Sequence, residues 1–434
     1  MIRDILLALG LVLSTASQLR STGFPIGPGE ICLVLWIGLT IGDAKNLLRA
    51  RITPPVQRML IFWTLFIISL CLGSATAFVT GDTHDPNLFI HDILAYLLVA
   101  TVSILSTVQL DDGPILQRTA WLLILFSTAF LGIQLAMAWD LLSIPQMSPW
   151  YWDRLRGLSE NPNQLAIFCA VLTFLALHFA EHASGWGKKS IAFLCVVLSV
   201  YIGRLTRSDT YGLILVTGVL LFAALKLRSW LMMPGRGLPL RRAGAGIIAL
   251  GLPVIAATTL LFANIVEIEA FDLARTMAKG NSQETSETAN IRLNSWNRAI
   301  DRGIESGMLG LGPGPHIEIP LVLVAARRDS VEPKYIEHPQ VNGTPNFEAH
   351  NTFLDLFTQG GLIAVLALTW LVVAAFRSAY RRNFDALTVM MWGVVVLSVF
   401  HLIIRQPLFW FAIAFVLVME AEVDIPFTLP NRSR

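Results

Sequence analysis

Long apolar runs follow one another along this chain, and that repetition limits the folds open to it more than any other feature. They fall near 4–20, 29–43, 57–80, 88–109, 114–138, 163–183, 189–203, 210–227, 243–265, 351–376, 385–404 and 407–420. A helix rises about 1.5 Å per residue, so roughly 20 apolar residues cross a bilayer core of about 30 Å. The expectation is an all-α polytopic membrane protein of about twelve transmembrane helices. Composition agrees: 54% of the 434 residues are hydrophobic and 14% are charged, against roughly 25% charged in soluble domains. The first run, "DILLALGLVLSTASQL", has only Arg3 as a positive flank and "TASQLRSTG" as a poor cleavage site, so it is read as a span rather than a leader. Cys32, Cys71, Cys169 and Cys195 all lie inside runs with no CxxC pair, as small apolar residues do.

The basic residues set the expected orientation. With a cytoplasmic N-terminus, 18 of the 32 Lys and Arg residues fall on the cytoplasmic side. Short outer loops hold six: Arg20, Arg154, Arg156, Arg204, Arg207 and Arg405. The other eight sit in the long loop after residue 265, and long loops translocate whatever their charge. The net charge of +2 points to no partner, nucleic acid included. All six outer exceptions are arginine, whose planar fork binds phosphate bidentately where lysine offers a point charge. An arginine near hydrocarbon costs roughly 2.5–3.5 kcal/mol on insertion scales. Singly, each can snorkel or pair with an acid, as Arg154 can with Asp153; as a set they suggest an external anion site.

One interruption organises the chain. Residues 1–265 carry nine spans, 266–350 carry none, and 351–434 carry three spans and a cytoplasmic tail. The middle segment reads as a periplasmic cap. In it, "NIRLNSWNRAIDRGIESG" places Leu293, Trp296, Ile300 and Ile304 at helical spacing, and "GLGPGPH" then ends the helix. Outer loop 139–162 is rich in Trp and Tyr, as interfacial belts are. Its end places Asn161 and Asn163 where they can cap the sixth span.

"HNTFLDLF" begins the tenth run with a titratable side chain, His350, at its mouth. Asn351 or Thr352 can cap this helix, and the helix dipole disfavours imidazolium there. A neutral imidazole accepts a proton, as a general base must, and Glu348 is near enough in sequence to orient the ring. The plainer alternative is a capping or interfacial histidine. His84, His91, His178, His182, His316, His338 and His401 have nothing organised around them in sequence. Arg207 at a helix start and Arg292 on the cap helix can converge on one anion above the membrane. Arg298 and Arg302 lie one turn apart and suit a solvated face or a pair with Asp301 or Glu305. The chain has no GxSxG, P-loop, HExxH or DxD pattern, and "GDTHDPN" (Asp82, His84, Asp85) is a weak metal signal.

Four stretches in order resemble the bacterial O-antigen ligase and polysaccharide polymerase superfamily: "RGLSENPNQLA", "LTRSDTYGLIL", "IRLNSWNRAIDRGIESGMLGLGPG" and "HNTFLDLFTQGGLI". They touch roughly residues 150–370, and Ala364 stands where a third glycine is expected. The resemblance implies a GT-C-like glycosyltransferase of the bacterial inner membrane, without a metal or other cofactor and with its active site facing the periplasm. Its donor would be a glycan on undecaprenyl diphosphate; its acceptor a lipid A core or a second lipid-linked glycan. Carried onto matching positions, His350 would activate the acceptor hydroxyl while Arg207 and Arg292 hold the diphosphate, with inversion at the anomeric carbon. Glu348, Asn351, Arg156, Arg204, Arg405, Asn161 and Asn163 are secondary candidates. Ligase and polymerase fit equally, and protein O-glycosylation is a third form. A transporter or flippase of an anionic glycan would call for repeats and broken helices, neither of which the sequence displays. A structural subunit of an export complex would leave His350 without a role.

Overall fold

The computed structural model describes residues 1–20, 26–43, 52–82, 86–108, 115–145, 147–232, 283–318 and 347–424. They form twelve α-helices: α1 (Ile2–Leu13), α2 (Pro28–Gly42), α3 (Pro54–Thr80), α4 (Pro86–Thr107), α5 (Ile115–Ala138), α6 (Pro162–His182), α7 (Trp186–Leu205), α8 (Asp209–Met232), α9 (Gln283–Glu305), α10 (Thr352–Arg381), α11 (Asp385–Phe400) and α12 (Pro407–Asp424). A two-stranded antiparallel hairpin, β1 (Trp150–Tyr151) and β2 (Arg154–Leu155), sits in the loop before α6. The chain is an all-α polytopic membrane protein.

The expected number of spans is corrected. Among the described residues six helices, α3, α4, α5, α6, α8 and α10, are long and apolar enough to cross a membrane, not about twelve. The runs at 4–20, 29–43, 385–404 and 407–420 become helices of 12, 15, 16 and 18 residues. At about 1.5 Å per residue these reach roughly 18–27 Å, short of a 30 Å core. α1 ends early because Ser14 and Thr15 hydroxyls turn back onto the Leu11 and Val12 carbonyls, and a short 3-10 turn (Ser17–Leu19) follows. α7 has 20 residues, but Lys188, Lys189 and Arg204 dilute its apolar run. The run at 243–265 lies outside the described residues. Among the described residues, apolar runs in sequence therefore marked helices without fixing their lengths.

α12 shows why most of a short helix can still be apolar on every side. From Leu408 to Val418 every residue is buried, because α3, α4, α6, α10 and α11 surround it. A helix apolar on all sides is stable only when enclosed. Trp410 is its largest buried side chain, tilted against Phe62 and Trp63 of α3 and edge-on to Phe409.

α10 is broken. Gly361 leaves the helix at φ 62°, ψ −159°, and the carbonyls released there are taken by a crossing segment. Leu311 N–H donates to Thr358 O (2.8 Å), Gly312 N–H to Gln359 O (2.8 Å), and Leu362 N–H to Met308 O (2.9 Å). A Cβ on Gly361 would lie 2.1 Å from Met308 O, so glycine is required by close approach as well as by conformation. The expectation of unbroken helices fails here, since a single interior glycine hides a break whose partner lies fifty residues away.

Candidate active site

The site is built around the entry to α10. Asn351 caps the helix, its Oδ1 accepting from Phe353 N (3.0 Å) and Leu354 N (3.2 Å). Asp355, one turn in, reaches back outside the helix: Oδ1 accepts from Ala349 N (2.7 Å) and Oδ2 from Asn351 N (3.2 Å). One carboxylate thus grips the residues on both sides of His350. Between those anchors His350 adopts a left-handed backbone, φ 53°, which a residue with a side chain enters only when its surroundings impose it. The ring is exposed and meets the Phe347 ring edge-to-face at 5.3 Å. Trp296 of α9 donates its Nε1–H to Ala349 O (3.1 Å), so α9 also holds this turn.

α9 forms where expected, but of its expected apolar face only Trp296 turns inward. Leu293, Ile300 and Ile304 are exposed, while Ser295, Ala299, Gly303 and Ser306 are buried. Small residues let α9 approach α10 closely: a Cβ on Gly303 would sit 2.2 Å from the Phe357 ring. Arg302 then locks α9 to the end of α3 through both oxygens of Asp82 (3.0 and 2.8 Å) and also reaches Glu305 (3.3 Å). Asp82 is thereby occupied by a guanidinium; His84, Asp85 and His338 lie outside the described residues. Among the described residues no three His, Cys, Asp or Glu side chains gather as metal ligands would.

His401, at the C-terminus of α11, is the hub of the positive groups. Its carbonyl accepts from Thr352 Oγ1 (2.6 Å), and its Nε2 lies 3.2 Å from Thr210 Oγ1. Burial pulls its imidazole down to about 3, and the charges of Arg292, His350 and Arg154 facing it add to that. Side chains from α9, the α10 entry and the hairpin thus face one buried ring. Burial also lowers the Arg292 guanidinium from its ordinary value, with Asp209 opposing and Arg154 reinforcing that shift. Arg154 is fixed by Thr206 O (3.0 Å) and by Asn163 Oδ1 (3.0 Å). Asn161, the N-cap of α6, orients Asn163 by accepting its N–H (2.8 Å).

The remaining expected residues divide. Arg207 has a left-handed backbone (φ 49°), is exposed, and pairs with Asp153, leaving Arg154 rather than Arg207 beside Arg292. Glu348 pairs with Arg405, not with the His350 ring. Arg405 also pairs with Asp92 of α4. Although burial works against its charge, these two carboxylates hold the Arg405 guanidinium above its ordinary value. Arg156 donates to Ser148 O (3.0 Å) and covers the Tyr151 ring at 5.5 Å, which makes it a brace of the hairpin loop. Arg204, in the last turn of α7, is half-buried beside Tyr211.

Sequence reasoning passed over Arg154, Asp355 and His401. Arg154 belonged to the outer arginine set; the signal that could have singled it out was its place just ahead of the Asn161–Asn163 cap. For Asp355 the signal was an acid one turn inside a helix entry.

Residues 191–369 match the family model described as O-antigen ligase. No match was found among curated proteins.

Proposed function

With the match to the O-antigen ligase model supporting assignment of this membrane protein to the bacterial O-antigen ligase and polysaccharide polymerase superfamily, we propose that it transfers a glycan from undecaprenyl diphosphate to an acceptor hydroxyl on the periplasmic side. The acceptor is a lipid A core sugar in the ligase form and a second lipid-linked glycan in the polymerase form. The observation that carries this reading is the exposed His350, gripped on both sides by Asp355 and sharing the His401 environment with Arg292 and Arg154.

In this reading the neutral His350 ring takes the proton of the acceptor hydroxyl. The hydroxyl oxygen attacks the anomeric carbon from the face opposite the diphosphate, a new glycosidic C–O bond forms, and the bond to diphosphate breaks with inversion. Arg292 and Arg154 neutralise the charge that builds on the leaving group, and Arg207 joins them if diphosphate displaces it from Asp153. Charge-assisted hydrogen bonds of this kind contribute about 1.5–3 kcal/mol each.

The test is a transfer assay with purified protein in lipid nanodiscs, supplied with undecaprenyl-diphosphate glycan with and without lipid A core and resolved on a gel. A ladder without core identifies a polymerase; a band only with core identifies a ligase. His350→Ala should lower turnover by about 10²–10⁴-fold with donor binding intact. Full turnover in that variant would remove His350 from the chemistry.

A further inference from the structure

At the end of α6 opposite Asn161 lies a second polar hollow, about 30 Å away by helix rise over the 21 residues of α6. Its volume is about 330 Å³, and Gln117, Trp121, His178, His182, Ser184 and Lys188 line it. Small-molecule sites begin at about this size, roughly 300 Å³. His178 and His182 stand one helical turn apart with ring centroids at 4.4 Å and planes at 34°. His182 Nδ1 lies 2.9 Å from the His178 carbonyl, which can only accept, so that nitrogen carries the proton. His178 is 3% exposed and its Nδ1 has no hydrogen-bond partner, an unusual state for a buried ring nitrogen.

Three further features give the hollow its sign. α7 starts here, and its N-cap, Gly185, has no side chain with which to satisfy the first-turn amides. Lys188, in that first turn, holds its ammonium 5.8 Å from the Trp121 ring centroid. The nearby acids do not line the cavity: Lys226 takes Glu181 Oε1 (2.7 Å) and Asp385 (2.9 Å), and Glu181 Oε2 is buried without a hydrogen-bond partner. The one sulfur on the wall, Met419 Sδ, receives Gln117 Nε2 at 3.4 Å. Without a lining carboxylate or thiolate and with an ammonium at its mouth, the cavity disfavours a metal cation. A helix start, a lysine and an imidazole pair are what an anion with several acceptor oxygens needs.

We propose that this cavity binds a phosphate group, carried either by free phosphate or by the headgroup of an anionic lipid. None of the residues around His350 lines this cavity, so phosphate binding here stands or falls separately from the transfer reaction.

The test is carbethoxylation of the histidines in full-length protein, held in maltoside detergent and phosphate-free buffer, with labelling of His178 and His182 quantified by peptide mass spectrometry. Inorganic phosphate or phosphatidylglycerol is added at about tenfold its dissociation constant, where occupancy should slow labelling of His182 about tenfold. Protection by both probes means that the phosphate itself suffices; protection by phosphatidylglycerol alone means that the lipid headgroup is the ligand. Lys188→Gln, at an exposed position, should abolish most of the protection with an unchanged melting temperature. Ser184→Asp, also exposed, should do the same by repulsion and serves if the first variant is unstable. If neither probe protects His182, or protection persists in both variants, the proposal is wrong.

Discussion

Two arginine clusters lie close to the head of α10, and their charge balance is opposite. In one, Arg405 faces two carboxylates, Asp92 and Glu348, and its charge is favoured. In the other, Asp209 is the one carboxylate among the described residues that acts on both Arg292 and Arg154, and burial together with Arg154 disfavours the Arg292 charge. Guanidinium chemistry is the same in both; the count of acids differs. A cluster with its positive charge fully matched acts as a rivet, here joining α4, the turn before His350 and the loop before α12. A cluster with surplus positive charge beside an exposed imidazole is the one that the proposed reaction assigns to the leaving diphosphate.

The comparison is broken most forcefully at Arg405. Arg405→Gln leaves Glu348 and Asp92 without their shared guanidinium, Asp92 keeping only the His91 imidazole at 3.3 Å, and removing one partner of a buried pair costs about 3–5 kcal/mol. The expected outcome is a large fall in melting temperature of the detergent-solubilised protein, with donor binding lost only as the fold is lost. A variant of native stability and selectively weak donor binding would move Arg405 into the anion site and erase the distinction. Arg292→Gln is the converse. Losing one charge-assisted contact of about 1.5–3 kcal/mol predicts roughly 10- to 100-fold weaker donor binding, at a melting temperature near that of the wild type. Arg292→Lys should recover part of the affinity, since a point charge replaces a fork.

The division between these clusters was beyond the sequence, and the reason is physical. The six outer arginines looked alike because the partners that separate the two clusters are remote in sequence: Arg405 is 313 residues from Asp92. The exchange at the hairpin, where Arg207 takes Asp153 and frees Arg154 to hold Thr206 and Asn163, depends on how β2 packs against α7. Local signals survived better. The Asn351 cap and the Asn161 cap followed from residue type ahead of an apolar run, and both are present. The helix at α9 was legible from its period. Its buried face was not, because close approach to α10 selected Ser295, Ala299 and Gly303 over the larger apolar side chains.

His401 offers the finest discrimination, because its buried ring senses the surplus charge directly. Its imidazole sits at about 3 in the folded protein, against about 6.5 for a free histidine. Between those values the unfolded chain binds a proton that the folded chain refuses. Stability is therefore lost as pH falls below about 6.5, by up to about 1.4 kcal/mol per pH unit, until the folded-state value is reached. His401→Gln, which can still bond Thr210, should flatten that part of the stability–pH curve measured by denaturant unfolding. Arg292→Gln should act on the same curve from a distance. With one facing cation removed, the folded His401 accepts its proton more readily, and the acid-dependent loss should level off at a higher pH than in the wild type. Arg405→Gln should leave the shape of the His401 contribution unchanged, since Arg405 is not among the charges that act on that ring. If removing Arg405 moved the His401 transition as far as removing Arg292 does, the two clusters would be a single electrostatic unit, and the surplus assigned to one of them would have to be shared across both.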